Sequence, residues 1–233
     1  MASSGICTSA GLSLVACSVR ERDVEQPAAL LVREALELPK AQSGRAETIT
    51  ALLGALLTKS PHTAAHCVRV GAYAALLARS LDLPETRIHH VERCGLLHDI
   101  GKLGIPQEVL EKEGPLTPGE WELVRLHPLI GTAVLQGIPW LAATLPAIAM
   151  HHERWDGAGY PHGVSGHAIP LEARIVGLCD AYDTMTSERS YKPRMAVDQA
   201  MGRLREDAGT HFDPELVAIF LQEVLPELPE GRI

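Results

Sequence analysis

The sequence predicts an all-α protein, a bundle of short helices, and three observations carry that expectation. Apolar residues make up 46% of the chain and aromatics only 4%, with long Ala/Leu/Val-rich stretches, a mix that favours helices over a β-sandwich. Apolar residues recur with helical spacing from Glu47 onward, as at Leu52, Leu53, Leu56 and Leu57. Helix-start signals also punctuate the chain: Ser60-Pro61, Thr117-Pro118-Gly119-Glu120 and Asp213-Pro214 each pair a capping side chain with a proline at the first helical position. No strand ladder, internal repeat or low-complexity tract interrupts this pattern.

The elements follow in order. Residues 1–45 differ from the rest: Met1 to Ala10 is small and polar, and Glu21 to Leu38 can form one helix or a helix pair. This segment reads as a partly disordered stretch or linker helix. Glu47–Lys59 is the first helix of the main domain. The next starts at Ser60-Pro61 and runs to about Ser80. Pro84 opens a third that carries Cys94 and Leu97 into His98-Asp99. Thr117 and Glu120 form a capping box, Thr accepting at the start and Glu reaching back, and that short helix ends near His127-Pro128. Further helices are expected over 129–136, 140–152, 171–186, 197–206 and 214–224. The main domain spans 46–225, and 226–233 is a tail.

Composition narrows the function. The formal net charge is −8, which argues against a nucleic-acid polymer as partner. An acidic chain can still bind an anionic substrate where metals and a few Lys or Arg invert the local field. The five cysteines, Cys7, Cys17, Cys67, Cys94 and Cys179, are odd in number and contain no Cys-x-x-Cys pair. That fits reduced thiols in the cytoplasm, with Cys67, Cys94 and Cys179 as small buried filler. No apolar run is long enough to cross a membrane. Residues 6–19 are mildly apolar but lack a preceding Lys or Arg, so they read as neither signal peptide nor anchor.

The chemistry concentrates in one type of side chain. His62 and His66 are a helical turn apart and share a face. Asp99 follows His98 directly, which lets a carboxylate bridge two metals while the imidazole binds one. His127, the adjacent pair His151-His152 and Asp180 complete the set. Neighbouring residues on a helix point roughly 100° apart, so His151 and His152 suit two metals sharing one site. His and carboxylate donors suit Mn, Fe, Ni or Zn. A metal pair roughly 3.5–4 Å apart is a standard device for phosphoester hydrolysis. His89, His90, His162 and His167 have no partner pattern among the eleven histidines, and His211 reads as a loop or cap contact. After His151-His152 comes Glu-Arg-Trp-Asp-Gly-Ala-Gly-Tyr160-Pro161, a loop that cannot continue the helix. Gly157, Gly159 and Pro161 set its backbone shape, so the loop is expected to matter to substrate more than to fold. Arg154 and Asp156 are expected to pair, and Trp155 to pack.

These residues resemble the HD-GYP family, a branch of the HD-domain metal-dependent phosphohydrolases. The match runs through His66, His98-Asp99-Ile-Gly-Lys102, His127-Pro128, His151-His152-Glu-Arg-Trp-Asp-Gly-Ala-Gly-Tyr-Pro161, Asp180-Ala-Tyr-Asp183, Thr186-Ser187-Glu188-Arg189 and Gly209-Thr-His-Phe-Asp213-Pro. His-Asp alone is weak; the full set in this order is specific. The resemblance implies an HD-domain helical bundle with a Gly-Tyr-Pro loop extension. It implies a cytoplasmic bacterial signalling enzyme that hydrolyses cyclic di-GMP to linear pGpG, with GMP as a further product. His66, His98, Asp99, His127, His151, His152 and Asp180 would hold two or three divalent ions, iron or manganese first, with nickel, zinc or magnesium as alternatives. Those metals would supply an activated hydroxide for attack on phosphorus. Asp99 and Lys102 are the catalytic candidates. Lys102, Gly159, Tyr160, Pro161, Arg189 and Lys192 are the substrate-binding candidates. His62 stands where trinuclear members have a glutamate, which leaves a third metal open. A homodimer and docking to a signalling protein through the Gly-Tyr-Pro loop both stay open, with no membrane partner. Two rival readings also remain: a catalytically weak dinucleotide-binding or adaptor module, and a phosphohydrolase for another cyclic dinucleotide.

Overall fold

A computed structural model describes residues 43–187 and 194–228. The expectations for residues 1–42, and for Arg189 and Lys192, lie outside the described residues. Among those described, the secondary structure is helical, with one isolated bridge between Ala208 and Phe212. The helices are α1 (Ser43–Lys59), α2 (Pro61–Ser80), α3 (Glu85–Leu97), α4 (Gln107–Leu110), α5 (Pro118–Arg125), α6 (His127–Leu135), α7 (Leu145–Met150), α8 (Leu171–Thr186), α9 (Val197–Asp207) and α10 (Pro214–Ile219). None is long and apolar enough to cross a membrane.

The starts are set by local chemistry. Ser60 Oγ accepts from the Thr63 amide at 3.3 Å, and Pro61 follows with no amide to satisfy. Thr117 and Glu120 form the reciprocal capping box, at 3.3 and 2.6 Å. Asp213 Oδ1 takes the Glu215 amide at 3.0 Å.

The helix expected over 140–152 is instead two pieces, a 3₁₀ turn at Pro139–Thr144 and α7. Pro146 has no amide to donate back along a continuous helix, and Pro139 fixes the start of the first piece. The break leaves α7 only one and a half turns long, ending on His151.

Two apolar clusters form the interior. One gathers Tyr73, Leu77, Val91, Cys94, Ile175, Leu178, Tyr182 and Phe220. The other gathers Leu53, Leu56, Cys67, Leu97, Ile100, Leu141 and Ile148. Helix α2 serves both and packs against α1, α3 and α8. The candidate ligands follow directly on core residues: His66 precedes Cys67, His98 follows Leu97, and Asp180 follows Cys179. Burial of their neighbours therefore fixes the backbone that carries them.

Candidate metal centre

His66 projects from the middle of α2, and His98 and Asp99 sit where α3 ends. His127 opens α6, His151 and His152 follow α7, and Asp180 lies within α8. Side chains drawn from five helices or helix ends thus meet at one place. His66, His98 and Asp180 form one close trio of donor atoms, and His127, His151 and His152 form another. Asp99 lies between them. Its Oδ1 is 3.2 Å from His127 Nε2, and its Oδ2 is 3.5 Å from His98 Nε2 and 3.8 Å from His66 Nε2. Both carboxylate edges are used, one toward each trio.

The imidazoles are oriented from behind. His98 Nδ1 faces the Gly95 carbonyl at 2.7 Å, His127 Nδ1 the Val124 carbonyl at 2.6 Å, and His151 Nδ1 the Ile148 carbonyl at 2.7 Å. A carbonyl only accepts, so the hydrogen-bond pattern puts each ring proton on Nδ1 and leaves Nε2 with a bare lone pair. His98 Nε2 is buried and has no hydrogen-bond partner. His127 Nε2 and His151 Nε2 face each other at 3.2 Å. Two lone pairs at that distance repel, and a shared cation removes the conflict. The donor set therefore fits divalent metal ions, a chemistry that His and carboxylate ligands select.

Electrostatics agree. Burial pushes His98 and His151 down, and takes His152 from 6.5 to about 3, so these rings stay neutral and able to ligate. Burial would raise Asp99, but Lys102, His98 and His127 together hold it well below the usual carboxylate range. Asp180 is held low chiefly by His66 against the same burial cost. Without metal, burial disfavours the charged form of His66, yet Asp180 and Asp183 raise it to about 9. The Cys67 thiol lies close to His98 and Asp99 but is pushed up by burial, so it stays protonated there.

A cavity of about 340 Å³ opens over these groups. Asp99, Lys102, His127, His151, His152, Tyr160 and Asp180 all line it. Lys102 Nζ is 2.5 Å from Asp99 Oδ2. Tyr160 lies flat against His152, with ring centres 4.8 Å apart, and the Arg125 guanidinium sits over the same ring at 4.7 Å. Gly159 and Pro161 are half-buried in the loop behind Tyr160. His62 is exposed and belongs to neither trio.

The Gly-Tyr-Pro loop corrects the sequence expectation. A Cβ on Gly159 would lie 2.3 Å from the Arg154 amide nitrogen, 2.5 Å from Glu153 Cα and 2.6 Å from the His152 carbonyl. The loop is pressed against the backbone of 152–154, so Gly159 is needed for the local packing beside the candidate ligand His152. The loop is also latched elsewhere: the Trp155 and Asp156 amides donate to the His211 and Thr210 carbonyls at 3.0 and 2.9 Å. Arg154 and Asp156 pair at 2.6 Å, and Trp155 packs edge-on against His167.

Several residues carry roles that the sequence reading did not assign. Asp183 accepts from His66 Nδ1 at 2.7 Å and is clasped by Arg69 at 2.6 and 2.9 Å. Their signal was helical spacing: Arg69 lies three past His66, and Asp183 three past Asp180, each on its neighbour's face. Glu153 Oε1 takes the His162 and Gly163 amides at 2.6 and 3.2 Å, which ties the loop closed. Arg174, paired with Asp213 at 2.5 Å, forms part of the cavity wall.

Three comparisons bear on this arrangement. The sequence model of the HD domain family matches residues 51–216. A cyclic di-GMP phosphodiesterase of Pseudomonas aeruginosa is 41% identical over 186 residues, covering 76% of this chain and 45% of that protein. A 3′3′-cGAMP-specific phosphodiesterase of Vibrio cholerae is 37% identical over 185 residues, covering 79% of this chain and 40% of that protein. The chain thus spans less than half the length of these curated relatives. Its fold is also similar to that of an HD-GYP protein from Bdellovibrio bacteriovorus, with a TM-score of 0.58 and 19% identity over 92% of this chain and 70% of the other.

Proposed function

Because this chain belongs to the HD domain family and carries the HD-GYP signature, we propose that it hydrolyses a phosphodiester bond of cyclic di-GMP, giving linear pGpG, with onward cleavage to GMP as the alternative end point. One observation carries the reading: Asp99 joins two trios of metal-ligand donors, with Lys102 beside it, on the wall of a single cavity. His66, His98 and Asp180 would hold one divalent ion, His127, His151 and His152 another, and Asp99 both. Ions held there supply an activated water and neutralise phosphate oxygens. Iron or manganese is the proposed occupant, because mixed His and carboxylate donors suit them.

The chain's own groups do the rest. Lys102 sits beside Asp99 but cannot ligate metal, since an ammonium has no lone pair. It stabilises charge on the phosphate and protonates the departing ribose 3′-oxygen. Arg189 and Lys192 remain the proposed contacts to phosphate or guanine edges, Arg as a fork and Lys as a point charge. Two ions are the proposed count, with His62 as the ligand of a third ion in the alternative. Residues 46–225 are the proposed catalytic domain, acting in the cytoplasm, with homodimerisation or docking through the Gly-Tyr-Pro loop as its proposed associations.

The test is turnover by anaerobically purified, metal-assayed protein, offered cyclic di-GMP and 3′3′-cGAMP side by side. The expected result is cleavage of cyclic di-GMP with at least two ions per chain. Cleavage of 3′3′-cGAMP alone moves the substrate to that of the Vibrio relative. Cleavage of neither, with metal bound, leaves a binding module and overturns the proposal.

A further inference from the structure

One aromatic side chain at the rim of the cavity makes no ring contact among the described residues. Helix α5 buries none of its residues. It is held by its capping box and by Lys112, whose Nζ is 2.6 Å from Glu120 Oε2. On it, Trp121 is 53% exposed yet lines the same cavity as Asp99 and Lys102. A single exposed ring is ordinary on a protein surface; what sets Trp121 apart is its place on the wall of the cavity that holds Asp99 and Lys102.

The other aromatic rings of that wall are already engaged. Tyr160 lies against His152 and under Arg125. Phe212 is buried and stacks on His211, with ring centres 4.4 Å apart and planes 3° from parallel. Among the described residues, Trp121 is the ring of this wall that makes no ring contact. Size points the same way. At about 340 Å³ the cavity is near the lower end of ligand sites, which run roughly 300–1,000 Å³, so a two-nucleotide ligand extends past the rim where Trp121 stands.

We propose that Trp121 is the stacking platform for one nucleobase of the cyclic dinucleotide, held while a phosphate sits over Asp99 and Lys102. The inference rests on the phosphodiesterase reading above. Every base has a π-face, so this contact adds affinity without choosing guanine over adenine.

The experiment compares the metal-loaded enzyme with Trp121→Ala and Trp121→Phe. Because the ring is exposed, neither change removes core packing, and thermal midpoint and metal content stay as in the parent. Trp121→Ala raises KM for cyclic di-GMP by about fivefold to a hundredfold, the range that loss of one base stack gives, while kcat falls much less. Trp121→Phe recovers part of that loss. Titration with a phosphorothioate analogue of cyclic di-GMP quenches tryptophan fluorescence in the parent and not in Trp121→Ala. If the parent turns over cyclic di-GMP and Trp121→Ala has an unchanged KM, the stacking role is overturned and the function stands. If metal content or kcat falls with KM unchanged, Trp121 supports the fold and the stacking role is again overturned. If the parent neither binds nor cleaves either dinucleotide, the function fails and the proposal fails with it.

Discussion

Asp99 is where the contacts of the centre converge, and single residues there make separable predictions. Its two oxygens face different trios, so Asp99→Asn removes a shared ligand and is expected to lower bound metal and to cut turnover by at least about a hundredfold, more than loss of an outer-shell partner would. Metal analysis beside a cyclic di-GMP assay checks both. Lys102→Ala has the opposite signature. It frees Asp99 Oδ2 for metal, so the ions stay while turnover drops at least about tenfold, as for loss of one charge-stabilising donor. A third expectation concerns pH. His151 and His152 are neutral in the folded metal-free protein and protonate near 6.5 when unfolded. The unfolded state therefore binds more protons between pH 6.5 and about 3, and the thermal midpoint of the metal-free protein falls as pH drops through that window. His66, raised to about 9, acts in the other direction above neutrality. The candidate ligands were legible because their chemistry shows in residue type and short spacing. The pairing of Arg69 with Asp183 was not, because it joins α2 to α8 across 114 positions and becomes visible only after folding.

At the scale of elements, the Gly-Tyr-Pro loop and α5 behave differently. Gly159→Val drives a side chain into the backbone of 152–154, so bound metal falls together with stability. Overpacking of about 1–3 kcal/mol corresponds to a drop of several degrees in a domain this size. Retained metal with an unchanged midpoint would restore the loop to a purely substrate-facing role. Helix α5 buries nothing, so Thr117→Ala, which removes its cap at a cost of about 1 kcal/mol, frays that helix alone. Amide exchange within 118–125 should speed up while the global midpoint stays put. Helix starts at Ser60, Thr117 and Asp213 were readable because a cap is a local event. The split of the segment 140–152 was signalled by Pro146, but apolar periodicity continues across the break and conceals it.

For the whole molecule, the centre is a cross-link. It draws on α2, the ends of α3 and α7, α6 and α8, elements that span both apolar clusters. A ligand bound only to the folded state stabilises by mass action, about 2.7 kcal/mol at a hundredfold excess over its dissociation constant. Chelation should lower the thermal midpoint by roughly 5–10 °C while far-ultraviolet circular dichroism at 20 °C is retained. The all-helical class and helix order were legible from composition and caps. The division into two clusters sharing α2 was not, because which face of an apolar helix meets which neighbour is settled by tertiary packing.

The three anchored imidazoles share one further property. Gly95, Val124 and Ile148 lie in the last turns of α3, α5 and α7, so each ring takes a carbonyl that its helix has left unpaired. Three helices therefore finish at the centre while α6 begins there, so three negative macrodipole ends, each worth roughly half an elementary charge, outweigh one positive end. The backbone itself supplies a standing negative potential there, independent of any carboxylate. Cations are drawn to the site before a ligand engages, and a carboxylate-to-amide change leaves that attraction in place. The proposed metal centre is in part a product of where helices stop.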